Sequence, residues 1–94
     1  MKIINTAIEG VYIIEPQVFE DNRGYFFESY NKQKMDEAGL KYDFIQDNQS
    51  MSKYGTIRGI HFQKGDFAQA KLVRVLEGTV LDVAVDLRKG SKTF

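Results

Sequence analysis

Short apolar runs separated by polar turns follow one another along the chain. One run, Val11–Ile14, ends at Glu15-Pro16, and residues 25–30 alternate between two faces that both carry aromatic side chains. A short apolar run, or alternation over four to eight residues, predicts a β-strand when turn residues bound it. The remaining predicted strands are residues 44–49, 56–62, 71–76 and 79–87, with turns at 20–24, 64–66 and 88–91 and a hairpin signal at Glu77-Gly78.

A single segment, Asn31–Gly39, predicts a helix. Asn31 is a good N-cap, Met35 and Ala38 give a narrow apolar face, and Gly39 is suited to the C-terminal end. A helix this short needs tertiary contacts to be stable. Six or seven short strands with one short helix predict a mainly β fold, an antiparallel sandwich or barrel.

The charge and apolar content of the chain argue against nucleic-acid and membrane partners. The chain has 94 residues, which is enough for one small domain, and its 13 basic residues are balanced by 13 acidic ones and scattered. We therefore expect no nucleic-acid partner. Residues 80–87 are interrupted by Asp82 and Asp86, and no apolar stretch approaches the ~20 residues that span a bilayer. With no cysteine and no apolar leader, a cytoplasmic protein without membrane contact is expected.

His61 is the only imidazole in the chain, with Arg58 three residues before it and Lys71 ten residues after it. Histidine accepts a proton near neutral pH, and arginine clamps phosphate through two donors. The segment from Gly55 to His61 resembles the opening of a cupin metal motif, but Gln63 stands where a second imidazole is needed. One histidine cannot hold a transition metal, so no metal is expected. The alternative interpretation of His61 is a structural histidine on a strand.

Lys71 and the polar run at 46–50 each have an alternative interpretation, and a shared cavity for Arg58 and His61 has a geometric requirement. On an inward face of its strand, Lys71 would be a functional cation, whereas at the start of an edge strand it would only be solvated. Arg58 and His61 lie on opposite faces of a regular strand, so a shared cavity requires a bulge at Gly59. The polar run at 46–50 suits recognition of sugar and base, or is a solvated loop.

In their order and spacing, several segments together resemble the N-terminal half of the dTDP-4-dehydrorhamnose 3,5-epimerase family. They are residues 19–28, 46–48, 58–63, 68–75 and 82–91. The resemblance implies a cupin-like antiparallel jelly-roll barrel, incomplete in this chain. It also implies one partial domain, with N-terminal strands and the helix in residues 1–45 and the first barrel strands in residues 46–94.

The resemblance also implies a role for individual residues. His61 matches the family's general base, and Lys71 matches the cation beside the C4 oxygen of the sugar. The matches to substrate-binding positions are Arg23 and Arg58 for the diphosphate and Glu28, Gln46, Asp47 and Asn48 for the nucleotide. The implied reaction removes and returns protons at C3 and C5 of a dTDP-4-keto-6-deoxy sugar, in dTDP-L-rhamnose biosynthesis, without a cofactor.

The chain departs from the family at Gln49, where many members have histidine, and at Ala70, where glycine is usual. The family's tyrosine acid and the aspartate that orients its histidine fall in a half that this chain does not have. We therefore expect the 94-residue chain alone to be inactive. The resemblance also implies a homodimer through the N-terminal strands. The alternative functions are a non-catalytic sugar-nucleotide binding module and a dimerisation module.

Overall fold

A computed structural model describes residues 1–94, which form two compact units. Unit 1 contains Met1–Lys41 and Thr79–Phe94, and unit 2 contains Tyr42–Gly78. The regular elements are β1 (Lys2–Asn5), β2 (Tyr12–Glu15), β3 (Phe19–Asp21), β4 (Gly24–Phe26), α1 (Lys32–Glu37) and a 3₁₀ turn (Gly65–Phe67). Small antiparallel sheets with one short helix confirm the coarse prediction of a mainly β chain.

The first hairpin pairs β1 with β2 in antiparallel register, from Lys2 opposite Glu15 to Asn5 opposite Tyr12. Its loop is closed by Thr6, whose hydroxyl donates to the carbonyl of Val11 over 2.7 Å. The strand predicted at 11–14 is confirmed, shifted by one residue. β1 was not predicted, because only two apolar residues lie between Lys2 and Asn5.

The second hairpin joins β3 to β4 through a two-residue turn, Asn22-Arg23. Asp21 pairs with Gly24, which has a φ of 139°, a backbone conformation that other residues rarely adopt. The centre of the predicted turn at 20–24 is confirmed, although its first two residues belong to β3. The strand predicted over 25–30 is shorter than expected and ends at Phe26.

The start of α1 follows the prediction. The side-chain oxygen of Asn31 accepts a hydrogen bond from the backbone N–H of Lys34 over 3.0 Å, so Asn31 is the N-cap. This bond satisfies one of the donors that every helix leaves unpaired in its first turn.

The structure has no helix long and apolar enough to cross a membrane.

The end of α1 is a Schellman motif. The N–H of Leu40 donates to the carbonyl of Met35 over 2.9 Å, and Gly39 adopts a φ of 85°. Met35 and Leu40 are the buried apolar residues of the chain, with 4% and 5% of their surface exposed. The predicted partner of Met35, Ala38, is exposed instead, because the chain reverses at Gly39 and presents Leu40.

The strands predicted at 44–49, 56–62, 71–76 and 79–87 are not formed. These segments were predicted from their composition, but a strand also needs a hydrogen-bonded neighbour, and an isolated hairpin is only marginally stable in water. Gly78 has the positive φ expected of a tight turn, 89°, although no paired strands flank it. Apolar side chains in these segments are consequently exposed, as Ile45 and Ile57 are at 95% and 91%.

Candidate functional site

The residues predicted for the site divide between the two units. Arg23 and Glu28 belong to unit 1, and the others belong to unit 2, namely Gln46, Asp47, Asn48, Arg58, His61 and Lys71. Each group is built by local contacts.

Arg23 stands at the tip of the β3–β4 hairpin, and its side chain is 87% exposed. Its Nη2 and Nε donate to Oδ2 of Asp21 over 2.6 and 3.1 Å. Its backbone N–H donates to Oδ1 of the same carboxylate over 2.8 Å. The hydrogen bonds from the Arg23 side chain and backbone lower the pKa of Asp21, and the carboxylate raises the pKa of Arg23. The sequence therefore places an outward-facing guanidinium on a fixed turn.

Glu28 is held just before the N-terminus of α1. Its Oε1 lies 3.0 Å from Nζ of Lys34, and its Oε2 accepts a hydrogen bond from Nδ2 of Asn31 over 3.2 Å. These contacts, with Lys34 first, lower the pKa of Glu28 and keep it ionised. Because Asn31 is also the N-cap, one side chain both starts the helix and supplies one of the two contacts to Glu28.

The polar run of unit 2 is exposed. Nε2 of Gln46 donates to Oδ1 of Asn48 over 3.4 Å, and Asp47 lies between them. Arg58 is also exposed, with Nε donating to Oγ of Ser52 over 2.8 Å. In both places, donors and acceptors face solvent, where a polar ligand could reach them.

His61 and Lys71 are exposed, and neither side chain makes a hydrogen bond or ion pair within the chain. The strand that would have carried His61 is not formed, so the bulge that we required at Gly59 is absent as well. Gly59 instead has a φ of 115°. A side chain at Gly59 would place its Cβ 3.6 Å from Nδ1 of His61. Chemically, unit 2 offers an accessible imidazole, an accessible ammonium group and a guanidinium.

A buried carboxylate was missed in the sequence analysis. The side chain of Asp86 is 1% exposed and accepts hydrogen bonds from Arg88, from the hydroxyl of Ser91 (2.5 Å) and from the hydroxyl of Thr93 (2.6 Å). These donors, with Arg88 first, hold the pKa of Asp86 far below its ordinary value. Nη2 of Arg88 also donates to the carbonyl of Glu9 over 2.8 Å. The signal available in the sequence was the spacing Asp-x-Arg-x-x-Ser-x-Thr around a glycine turn.

Comparison with known proteins identifies the class to which these residues belong. A family model described as dTDP-4-dehydrorhamnose 3,5-epimerase matches residues 5–94. A protein of that name from Salmonella typhimurium is 58% identical over 95 aligned positions, which cover the whole chain and 52% of that protein. Another from Methanothermobacter thermautotrophicus is 52% identical and is covered to 50%. No solved structure shows significant similarity.

These matches define a family whose members are named as epimerases of a dTDP-linked sugar. The chain belongs to the dTDP-4-dehydrorhamnose 3,5-epimerase family, and the resemblance described from its sequence is confirmed. The chain spans about half the length of these curated relatives, 52% of the Salmonella protein and 50% of the Methanothermobacter protein.

Proposed function

We propose that the chain contributes the base-bearing half of an epimerase that acts on dTDP-4-dehydro-6-deoxy-D-glucose and yields dTDP-4-dehydro-L-rhamnose. The observation that carries the proposal is the family match over residues 5–94. In this proposal the enzyme is cytoplasmic, residues 1–45 carry the N-terminal strands and helix, and residues 46–94 supply the first strands of a jelly-roll barrel.

The chemistry follows from the C4 keto group of the substrate. A proton at C3 or C5 is acidic because the electrons left on carbon move to the C4 oxygen as an enolate. His61 accepts that proton, since a neutral imidazole is a suitable base near pH 7. Lys71 stabilises the enolate oxygen with its positive charge. The acid that returns a proton to the opposite face is not assigned to any residue of this chain.

Substrate binding is assigned to the remaining predicted residues. Arg23 and Arg58 hold the diphosphate, because a guanidinium offers paired donors to phosphate oxygens. The nucleotide is contacted by Glu28, Gln46, Asp47 and Asn48. The exposed guanidinium of Arg23 and the solvent-facing polar run of unit 2 support this assignment.

The test follows hydrogen exchange at the substrate. In the complete enzyme, His61→Asn should abolish deuterium incorporation at C3 and C5 in heavy water and leave dTDP affinity within a few-fold. Asp66→Asn, an exposed change elsewhere in unit 2, is the matched control and should leave both unchanged. Near-normal exchange in the His61→Asn variant would rule out this residue as the base.

A second candidate function is a non-catalytic sugar-nucleotide binding module. It is favoured by the exposed polar groups of Arg23 and of residues 46–48, which could contact a ligand without catalysis. General acid–base catalysis contributes about 10²–10⁴-fold, and this chain is assigned a base without its acid. The 94-residue chain should therefore bind dTDP without epimerising the sugar, and turnover comparable to that of a complete epimerase would contradict this.

We also infer a homodimer through the N-terminal strands. Tyr25 and Phe26 of β4 are each 70% exposed, and Ile13 of β2 is 52% exposed. Exposed apolar side chains on strands with unpaired edges favour a second copy of the chain. Light scattering should show a dimer that Phe26→Lys disrupts and Leu81→Lys, at another exposed apolar position, does not. A compact monomer at tens of micromolar would contradict the inference.

A further inference from the structure

The turn between β3 and β4 is built around one carboxylate. Asp21 is the last residue of β3, and its two carboxylate oxygens accept hydrogen bonds from different parts of Arg23. Oδ1 accepts from the backbone N–H of Arg23, which fixes the turn. Oδ2 accepts from Nε and Nη2 of the Arg23 side chain, which fixes the guanidinium.

This arrangement leaves one edge of the Arg23 guanidinium open. A guanidinium has five N–H donors in a plane, and the Nε–Nη2 edge faces Asp21. The donors that remain, one on Nη2 and two on Nη1, face away from the carboxylate. Two parallel donors of this kind match two oxygens of a phosphate. The side chain is 87% exposed, so an anion can approach that edge.

Asp21 has two opposite effects on an anion that binds there. Its negative charge repels a diphosphate, but that repulsion is weakened by water and salt at an exposed site. Its hydrogen bonds hold the Arg23 side chain in one conformation, so less rotamer freedom is lost when the ligand binds. Ladder pairing with Gly24 fixes the backbone of Asp21, and the backbone N–H of Arg23 holds its carboxylate, which favours the second effect.

We propose that Asp21 is a positioning residue that presents the outer edge of the Arg23 guanidinium to the diphosphate of the nucleotide sugar. The inference rests on the proposed role of Arg23 in substrate binding and extends it to a residue that makes no contact with the ligand. It predicts that removing a negative charge beside the site weakens the binding of an anion.

The experiment compares two variants that remove the same charge from the same hairpin. Asp21→Asn keeps an oxygen for the backbone N–H of Arg23 but places an NH₂ donor where Oδ2 accepted. Glu20→Gln, one residue earlier and opposite Tyr25 in the ladder, leaves Asp21 and Arg23 untouched. By calorimetry, Asp21→Asn should weaken dTDP binding by about two- to tenfold, the cost of immobilising one long side chain. Glu20→Gln should leave binding unchanged or slightly tighter.

The NMR signal of the Arg23 Nε–H gives a second readout that does not depend on the ligand. It should exchange slowly with water in the unaltered chain and rapidly in Asp21→Asn. Tighter dTDP binding in both variants would show that Asp21 is only a competing charge, and an unchanged Nε–H signal would show that it does not hold the side chain. Either result overturns the proposal. If Arg23→Ala leaves dTDP binding unchanged, the assignment of Arg23 to the diphosphate fails as well.

Discussion

Replacing Asn31 with alanine should both loosen α1 and remove one contact to Glu28, whereas aspartate should only remove that contact. The Asn31 side chain makes two separate hydrogen bonds, one to the N–H of Lys34 (3.0 Å) and one to the carboxylate of Glu28 (3.2 Å). Alanine removes both bonds. Aspartate keeps the oxygen that caps the helix, loses the donor to Glu28 and adds a like charge beside it.

The size of each effect follows from these contacts. Loss of an N-cap side chain costs about 1 kcal/mol, which is roughly a fivefold increase in the open population of α1. The aspartate cap should cost little, because a negative charge is favourable at a helix N-terminus. The pKa of Glu28 should rise only part of the way towards its ordinary value in the alanine variant, because the larger contribution, from Lys34, remains. It should rise further in the aspartate variant through repulsion.

Amide hydrogen exchange and a carboxyl titration by NMR separate these effects. The Leu40 amide, bonded to the carbonyl of Met35, reports the opening of α1. Its exchange should speed up about fivefold with alanine at position 31 and change little with aspartate. Equal loss of protection in both variants, or a Glu28 titration that neither variant moves, would refute the reasoning.

Three further outcomes are expected. Gly39→Ala should destabilise the end of α1 by about 1–2 kcal/mol in urea unfolding, because φ at this position is 85°, although the added Cβ meets nothing within 4 Å. Gly39→Asn should lose less stability, and an equal loss in the two variants would point to a steric cause. The ionised carboxylate of Asp86 stabilises unit 1 above about pH 4, because its hydrogen bonds lower its pKa in the folded chain. This contribution should be lost as the pH falls below that value, and Asp86→Asn should flatten the pH dependence of amide protection. Arg58→Lys should weaken dTDP binding roughly 5- to 150-fold by calorimetry, and unchanged affinity would place the diphosphate elsewhere.

The features that the sequence predicts well are those decided by near neighbours. The cap at Asn31 and the reversal at Gly39 involve residues three to five positions apart, so their chemistry can be recognised in a short window. The same holds for the turn at Asn22-Arg23. The segment 56–62 has the composition of a strand, but its conformation depends on a neighbour that no local pattern specifies.

In the candidate site too, the sequence predicts what depends on single residues and not what depends on distant parts of the chain. The chemical types of His61, Lys71 and Arg58 are visible in the sequence, whereas their mutual positions depend on pairing between distant strands. The carboxylate of Asp86 was missed because its donors lie two, five and seven residues later, a spacing with neither the period of a helix nor that of a strand.

The bond from Arg88 to the carbonyl of Glu9 joins positions 79 residues apart. On the ribosome, the first hairpin is synthesised long before its partner, and all of unit 2 is extruded in between. Unit 1 therefore cannot close until Arg88 has left the exit tunnel, and closing so long a loop is slow because its entropy is lost before the contact is gained. During translation, the first hairpin therefore stays without its contact to Arg88 while residues 16–87 are synthesised.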